Sequence, residues 1–363
     1  MKIGIPREIK ILEGRVALVP EAAGELVHHG HEVLLESGAG VNSGYADEAY
    51  AALGVRIVPD ADTLYGEAAL IVKVKEPQPV EWERLRADHI LFSYLHLAAE
   101  PELTEALQRI GLTAVAFETV TEHGELPLLA PMSDIAGRIA VQEGATLLHM
   151  PNGGRGLLLG GVPAAPRGRV VILGAGHAGG NAAALAAALG ANVTVFDRNR
   201  HKQAAMRALG PNVTALHAFR SAIHDAVVQA DLLIGAVLIP GARAPHLVDA
   251  ETVARMKPGS VIIDISVDQG GCIETTRPTT WAEPTFVHEG VIHYGVTNMP
   301  GAVPRTASQA LSAVLVPYIL RLASPDWRQD PALAAGINVD AGKVVLPAIK
   351  GRGTRGEGRG KAE

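Results

Sequence analysis

Apolar and polar positions alternate in two patterns over the first third of the chain. Short apolar runs have the length and β-branched composition of buried strands, and they are separated by segments with a helical apolar period. The predicted strands are residues 2–5, 32–35, 70–74, 90–95 and 113–117, with a helix at residues 20–29. Strands that alternate with helices usually form a parallel sheet covered by those helices. This part of the chain therefore predicts an α/β domain.

The same alternation starts again near residue 170. The second set of predicted strands is residues 170–173, 192–196, 232–236 and 261–265, with helices ending near residue 190 and covering 249–256. Two longer helix-forming stretches, residues 133–148 and 306–322, flank this second set. We therefore predict two Rossmann-like, doubly wound α/β domains, one inserted into the other and joined by long helices.

The flanking helices also set the predicted domain boundaries. The outer domain would comprise residues 1–132 and 305–350, and the inserted domain residues 133–304. A length of 363 residues supports two domains because it exceeds what one hydrophobic core usually fills. Residues 351–363 are rich in Gly, Arg and Lys without an apolar period, so we expect a disordered tail.

The composition limits the classes of function. The formal net charge is −6 at pH 7, which offers no general attraction to polyanions, so we expect no nucleic-acid partner. The most apolar stretches, residues 181–189 and 310–320, are shorter than the roughly 20 residues that cross a bilayer. We expect no membrane span. The start lacks a signal-peptide pattern and the single Cys272 allows no internal disulfide, so we expect a cytoplasmic protein.

Residues 170–179, VVILGAGHAG, supply a strand, a G-x-G-x-x-G turn and the start of a helix in that order. Gly174 permits the tight turn, and Gly176 lets the backbone approach a pyrophosphate. Gly179 lets the helix pack against the strand while its first amides face the anion. The segment therefore predicts a dinucleotide site, although such a turn can also occur in an α/β domain that binds nothing.

An acid at the end of the next strand refines this prediction. Asp197 follows the turn by about 20 residues, the spacing at which a carboxylate binds both ribose hydroxyls. This favours NAD as the cofactor. The neighbouring Arg198 and Arg200 could instead receive the 2′-phosphate of NADP.

Three polar residues of the outer domain follow predicted strands. Arg15 lies in the loop after the first strand, Lys75 directly follows residues 70–74, and His96 directly follows residues 90–95. Ligands of open α/β sheets bind beyond the carboxyl ends of the strands. An arginine can bind a carboxylate, a lysine can polarise a carbonyl, and a histidine can transfer protons, so the set suits an α-keto or α-amino acid. Taken singly, each could be a surface or structural residue.

In the inserted domain, Asp268 follows residues 261–265 and precedes a Gln-Gly-Gly loop. Its carboxylate could act on an ammonium or a water, or it could cap local amides. Cys272 has no evident base and is interpreted as structural. The 14 histidines show no metal-ligand spacing, so no metal is expected.

Together these motifs resemble alanine dehydrogenases over about residues 1–349. The resemblance rests on the segments GIPRE (4–8), RVA (15–17), KVKEP (73–77), YLHL (94–97), PMS (131–133), the glycine turn, DQGGC (268–272) and NMPGAVP (298–304). It implies reversible NAD-dependent conversion of L-alanine to pyruvate and ammonium by a homohexamer. It further implies that Arg15 and Lys75 bind the substrate and that His96 and Asp268 are catalytic.

The resemblance also implies a set of cofactor-binding residues. They are Ser133, Gly174, Gly176, His177, Ala178, Gly179, Asp197, Lys202, Val237, Leu238, Asn298 and Met299. One departure is visible at residues 217–220, His-Ala-Phe-Arg, where relatives often have a serine. An adenine contact is expected to be lost or replaced there.

Three alternative functions remain open. The NAD-binding part of proton-translocating transhydrogenase has the same predicted layout, but the segment at residues 131–137 and Asp268 match the dehydrogenase pattern better. A catalytically silent NAD-binding module, such as a redox sensor, would bind cofactor without consuming alanine. A related dehydrogenase acting on lysine or saccharopine would need a larger substrate pocket.

Overall fold

The computed structural model describes residues 1–237 and 244–347. Leu238 and the predicted tail at residues 351–363 lie outside this part of the chain. The strands, in chain order, are β1 (Lys2–Ile5), β2 (Glu32–Glu36), β3 (Arg56–Val58), β4 (Leu70–Val72), β5 (Ile90–Ser93), β6 (Thr113–Ala116), β7 (Arg169–Leu173), β8 (Asn192–Asp197), β9 (Val213–His217), β10 (Leu232–Gly235), β11 (Val261–Asp264), β12 (Thr285–His288), β13 (Val291–Tyr294), β14 (Ile337–Asp340) and β15 (Lys343–Val344).

The α-helices surround these strands. They are α1 (Pro20–His28), α2 (Asp47–Ala51), α3 (Ala61–Glu67), α4 (Pro79–Trp82), α5 (Pro101–Ile110), α6 (Ala130–Leu147), α7 (His177–Ala188), α8 (Arg200–Arg207), α9 (Arg220–Gln229), α10 (Ala250–Ala254), α11 (Pro304–Leu322) and α12 (Pro331–Gly336). The chain divides into two compact units: unit 1 is Met1–Met132 with the chain from Gly301 onwards, and unit 2 is Ser133–Pro300.

Unit 1 is built on an eight-stranded sheet. Its order is β3-β2-β1-β4-β5-β6-β14-β15. Strands β1 to β6 are parallel, whereas β14 runs antiparallel to β6 and β15 antiparallel to β14. Fully buried Leu34, Ile71, Leu91 and Leu107 belong to one core that joins the sheet to its helices. Near-continuous apolar strands are expected where helices cover a parallel sheet.

Unit 2 is built on a seven-stranded sheet in the order β9-β8-β7-β10-β11-β13-β12. The strands are parallel except for β12, which runs antiparallel to β13 at the edge. Its core contains Leu173, Val227, Leu233 and Ile262. In each unit the six parallel strands follow the order third, second, first, fourth, fifth, sixth, which is that of the Rossmann fold. The prediction of two Rossmann-like units is confirmed.

Two predicted strands end earlier than expected. β4 ends at Val72 and β5 at Ser93, so Lys75 and His96 lie in the loops beyond the strands and do not directly follow them. Backbone bonds continue for one more step, from Lys73 N–H to Phe92 and from Tyr94 N–H to Val74. The pairing then stops because the amides of Val74 and His96 donate to the carboxylates of Glu8 and Glu118. Backbone amides bound to side chains cannot continue the ladder.

Candidate functional site

The predicted cofactor residues of unit 2 and the predicted catalytic Asp268 follow strands that are neighbours in the sheet. The glycine turn follows β7, Asp197 ends β8, Val237 follows β10, Asp268 follows β11, and Asn298 with Met299 follows β13. The strand ends are level, since Gly174 N–H donates to the Phe196 carbonyl at 2.8 Å and Ala236 N–H to the Leu173 carbonyl at 2.9 Å. The structure therefore brings these residues to one edge of one sheet, where α/β folds bind ligands.

The three glycines of the turn differ in the space around them. Gly174 has a φ of +98°, and a Cβ on it would lie 2.5 Å from the Ala236 carbonyl oxygen. A Cβ on Gly179 would lie 1.9 Å from the Gly174 carbonyl oxygen, so the first turn of α7 packs directly on the loop. A Cβ on Gly176 would meet no atom within 4 Å. Gly176 is the N-cap residue of a twelve-residue helix, so this open space adjoins a helix N-terminus, as a phosphate cradle requires.

The start of α7 also contacts α6. A Cβ on Gly137 would lie 2.0 Å from the Ala178 carbonyl oxygen, so the two helices touch through their backbones. Asp134 Oδ1 accepts a hydrogen bond from Asn181 Nδ2 at 2.8 Å and lies 3.1 Å from His177 Nδ1. Half-buried Ser133 precedes Asp134 on α6 and is therefore held close to the glycine turn.

Asp197 is bound to the same turn. Its Oδ2 accepts a hydrogen bond from Ala175 N–H at 2.7 Å, and its Oδ1 accepts one from Asn199 N–H at 2.7 Å. Asn199 in turn caps α8, and the side chain of Lys202 on that helix is exposed, as are Arg198 and Arg200. The acid is thus fixed in place while the basic groups around it face solvent.

The remaining predicted cofactor residues are partly or fully buried. Val237 is half-buried, and its N–H donates to Ser266 Oγ at 2.9 Å. Asn298 adopts a left-handed backbone with φ +58°, which asparagine tolerates better than most residues, and Met299 is buried.

A second aspartate organises the loop after β11, and the sequence reasoning missed it. Asp264 is fully buried and accepts hydrogen bonds from Ser266 N–H at 3.0 Å, Cys272 N–H at 2.9 Å and Thr276 Oγ1 at 2.8 Å. Burial raises the pKa of its carboxyl above the ordinary value, against these hydrogen bonds. Asp264 therefore caps the amides of this loop from inside, whereas the side chain of Asp268 is exposed.

Cys272 lies inside this loop. Its Sγ is buried 3.7 Å from Asp264 Oδ1, and burial, reinforced by the Asp264 charge, raises the thiol pKa well above its usual value. A thiol in this state is a poor nucleophile, in agreement with the structural interpretation.

In unit 1, Arg15 is buried and paired with Glu13. Nε and Nη2 of Arg15 donate to the two carboxylate oxygens of Glu13 at 2.7 and 2.6 Å, and Nη1 lies 3.1 Å from Met132 Sδ. Burial alone would lower the pKa of the guanidinium, but its hydrogen bonds and charge attraction to Glu13 raise it. Arg15 therefore stays a cation in a buried place, with its orientation fixed.

The backbone at Lys75 is fixed by a buried cluster of charges. Glu8 accepts hydrogen bonds from the amides of Val74 and Lys75, and its Oε2 lies 3.3 Å from Lys73 Nζ. The ammonium of Lys73 also contacts Glu81 at 3.1 Å. Burial raises the pKa of Glu8, and the nearby Lys73 opposes this shift. Glu8 thus connects the loop after β1 to the loop after β4.

His96 has a strained backbone and a half-exposed ring. Its φ is +49°, and its N–H donates to Glu118 Oε1 at 2.7 Å. The imidazole stacks on Tyr94, with ring centroids 6.0 Å apart and planes within 6°. Left-handed backbone at a non-glycine residue often marks a functional position.

Glu8, Glu13 and Glu118 were missed in the sequence because their significance is tertiary. The one available signal was that Glu13 lies two positions before Arg15. Among residues 1–237 and 244–347, no group of three His, Cys, Asp or Glu could hold a metal ion. No helix in these same ranges has the length and apolarity to cross a bilayer.

Both units match one protein family. The alanine dehydrogenase/PNT N-terminal domain matches residues 4–136, and the corresponding C-terminal domain matches residues 140–347. An alanine dehydrogenase of Bacillus subtilis (strain 168) is 49% identical over 355 residues, covering 96% of this chain and 94% of that protein. One from Mycolicibacterium smegmatis is also 49% identical, covering 96% of both chains.

Two solved structures show the same overall likeness. An L-alanine dehydrogenase has a TM-score of 0.92 at 50% identity, covering 97% of this chain and 98% of its own. A transhydrogenase from Sinorhizobium meliloti has a TM-score of 0.84 at 27% identity, covering 95% of this chain and all of its own. Identity is thus markedly higher to the dehydrogenases than to the transhydrogenase. The chain belongs to the alanine dehydrogenase family.

Proposed function

We propose that this oxidoreductase catalyses the reversible reaction of L-alanine, NAD⁺ and water to pyruvate, ammonium, NADH and a proton. The observation that carries the proposal is that this member of the family has two sets of site residues. The dinucleotide residues lie at one sheet edge of unit 2, and Arg15, Lys75 and His96 lie at one sheet edge of unit 1. Substrate binding is assigned to unit 1 and cofactor binding to unit 2. No metal takes part in this scheme.

The residues of unit 2 fit NAD. The pyrophosphate would lie at the open side of Gly176, near Ser133 and residues 174–179. The adenosine ribose would bind Asp197, with Lys202 nearby. Residues 237–238 and 298–299 would surround the nicotinamide half. An acid held at the ribose position favours NAD over NADP, because a carboxylate repels a 2′-phosphate.

The residues of unit 1 fit a small amino acid. Arg15, oriented by Glu13, would bind the substrate carboxylate, and Lys75 would stabilise the developing oxygen at Cα. Bound NAD⁺ supplies the hydride acceptor. The geometry of the charged groups supplies orientation, which is the protein's main contribution to such a reaction.

Proton transfer is assigned to His96 and Asp268. After loss of hydride from Cα, water adds to the resulting imine, and one of these two residues removes a proton from that water. Collapse of the carbinolamine then breaks the C–N bond and releases ammonium and pyruvate. We expect H96A to lose turnover while keeping its affinity for NADH; near-normal turnover would remove His96 from this role.

The proposal is tested by oxidation of NADH by the purified protein with pyruvate, with and without ammonium, and again with NADPH. Ammonium-dependent turnover that prefers NADH is the expected result. Glyoxylate with ammonium in the same assay would reveal a side activity, and reduction of NAD⁺ by lysine or saccharopine in the opposite direction would reveal a different substrate.

A second candidate is the NAD-binding subunit of a transhydrogenase or a silent NAD-binding module. It is favoured by the structural likeness to the Sinorhizobium meliloti transhydrogenase. Binding of NADH without ammonium-dependent turnover would support it and contradict the dehydrogenase proposal. A homohexamer in the cytoplasm stays a prediction, which light scattering of the purified protein and fractionation of the source cells would check.

A further inference from the structure

Two aromatic rings lie beside Asp197 at the edge of the unit 2 sheet. Strand β9 pairs in parallel with β8, and His217 is the partner of Asp197 in that register. Directly paired residues of neighbouring strands present their side chains on the same face. The His217 ring contacts the ring of Phe219, with centroids 4.6 Å apart and an angle of 52° between planes. The pair therefore adjoins the acid assigned to the adenosine ribose.

Phe219 has no evident structural role. Its side chain is 64% exposed, although it is a large apolar group. It is also the N-cap residue of α9 and makes no side-chain capping hydrogen bond, which Ser, Thr, Asp or Asn would provide there. Phe219 thus exposes apolar surface and provides no side-chain cap for α9. Such a residue fits a surface that is covered when a ligand binds.

The surroundings of Phe219 suit a flat apolar ligand. Ala218, the next residue towards β9, and Val237, which follows β10, are both partly exposed and pack against the same core of unit 2. Because β9 is next to β8 at the edge of the sheet, Ala218 and Phe219 place apolar surface directly beside the assigned ribose acid, on the side away from β7. Adenine is bonded directly to that ribose, and every face of its ring system can stack on an aromatic side chain.

We propose that Phe219, supported by His217, is the stacking surface for the adenine ring of the cofactor. The proposal rests on the assignment of NAD to unit 2. It explains how the segment at residues 217–220 can replace the serine common in relatives: an aromatic stack substitutes for a hydrogen bond. Stacking needs no donor or acceptor on the base, so it tolerates the loss of that hydroxyl.

The first test measures the dissociation constants of NADH and ADP-ribose for F219A by calorimetry. Both ligands carry the adenosine half, so both constants are expected to rise by the same factor, at least about fivefold, as for the loss of one base stack. F219Y is expected to bind like the original chain. V287A is the matched control, because Val287 is 68% exposed on β12 at the opposite edge of the same sheet.

A second measurement detects the contact directly. ADP-ribose is expected to quench the fluorescence of the indole that F219W introduces, and to leave that of V287W unchanged. Equal affinities of F219A and the original chain would overturn the stacking proposal. Weakening of NADH alone, with ADP-ribose unaffected, would also overturn it. Failure of the original chain to bind NADH would instead contradict the proposed function itself.

Discussion

Glu13 orients Arg15 before any substrate binds. Two parallel hydrogen bonds between a guanidinium and a carboxylate restrict rotation about the long arginine side chain more than a single contact would. Both side chains are buried, so solvent does not screen the pair. The entropy of positioning the cation is thus lost during folding and not during substrate binding.

We expect E13Q to lower kcat/KM for pyruvate at least about tenfold, mainly through KM, because the guanidinium loses its fixed orientation. The variant should also unfold more readily by about 3 kcal/mol, since it leaves a buried cation without its partner. The dissociation constant of NADH should not change. D62N removes the partner of Arg84 at an exposed position and serves as the control, with an expected effect below about 1 kcal/mol. An unchanged KM in E13Q would refute the orienting role.

At the scale of single elements, two glycines of the turn between β7 and α7 are needed for different reasons, which the G-x-G-x-x-G motif does not distinguish. Gly179 is required by packing, because a Cβ there would overlap the backbone of the turn. A Cβ on Gly176 would point into open space, so the fold itself does not require glycine at this position. The lack of a Cβ at Gly176 matters only if a ligand approaches the turn from the solvent.

Substitutions by alanine along this turn should therefore give three different results. G179A should lose about 1–3 kcal/mol of stability because the helix must shift. G176A should fold normally but raise the dissociation constant of NADH at least about tenfold, as for one lost hydrogen bond to a charged oxygen. G180A, whose Cβ would come no closer than 3.5 Å to Met206, should change neither. Equal NADH affinities of G176A and G180A would argue against a phosphate at this turn.

Most buried parallel strands could be predicted from sequence, but the short β3, the exposed β9 and the fully buried β13 were not predicted. β1, β7 and β11 are apolar except for one charged end residue each, Lys2, Arg169 and Asp264, so their pattern is unambiguous. β3 has only three residues, and β9 at the sheet edge is mostly exposed, so neither has an apolar run. The antiparallel β12, β14 and β15 complete sheets whose strand order is a tertiary property.

The same limit applies to the candidate site. The positions of Arg15 and Lys75 in loops beyond strands, and of Asp197 at a strand end, follow from local pattern, because strands of a parallel sheet end at one edge. The partners that orient them do not, since Glu8 and Lys73 pair across 65 residues of sequence. A charged residue in a sequence usually indicates a solvent-exposed position, and the burial of Glu8 and Lys73 becomes visible only in the fold.

For the whole molecule, the two units divide the proposed binding tasks. We expect hydrogen exchange of the native protein to slow on addition of NADH chiefly in residues 174–203, because a ligand reduces opening of the segments that it contacts. Addition of pyruvate should then protect residues 6–19 and the segment around Lys75. Protection of unit 1 by NADH alone, without any in unit 2, would contradict this division.

The burial of Cys272 has a practical consequence. It is the only cysteine of the chain, and burial with the adjacent carboxylate keeps its thiol protonated and covered. In the native state the protein should therefore behave towards maleimides and other thiol reagents as a chain without cysteine. A single cysteine introduced at an exposed position would be the one reactive handle, so a fluorophore or spin label could be attached there without first removing the native thiol.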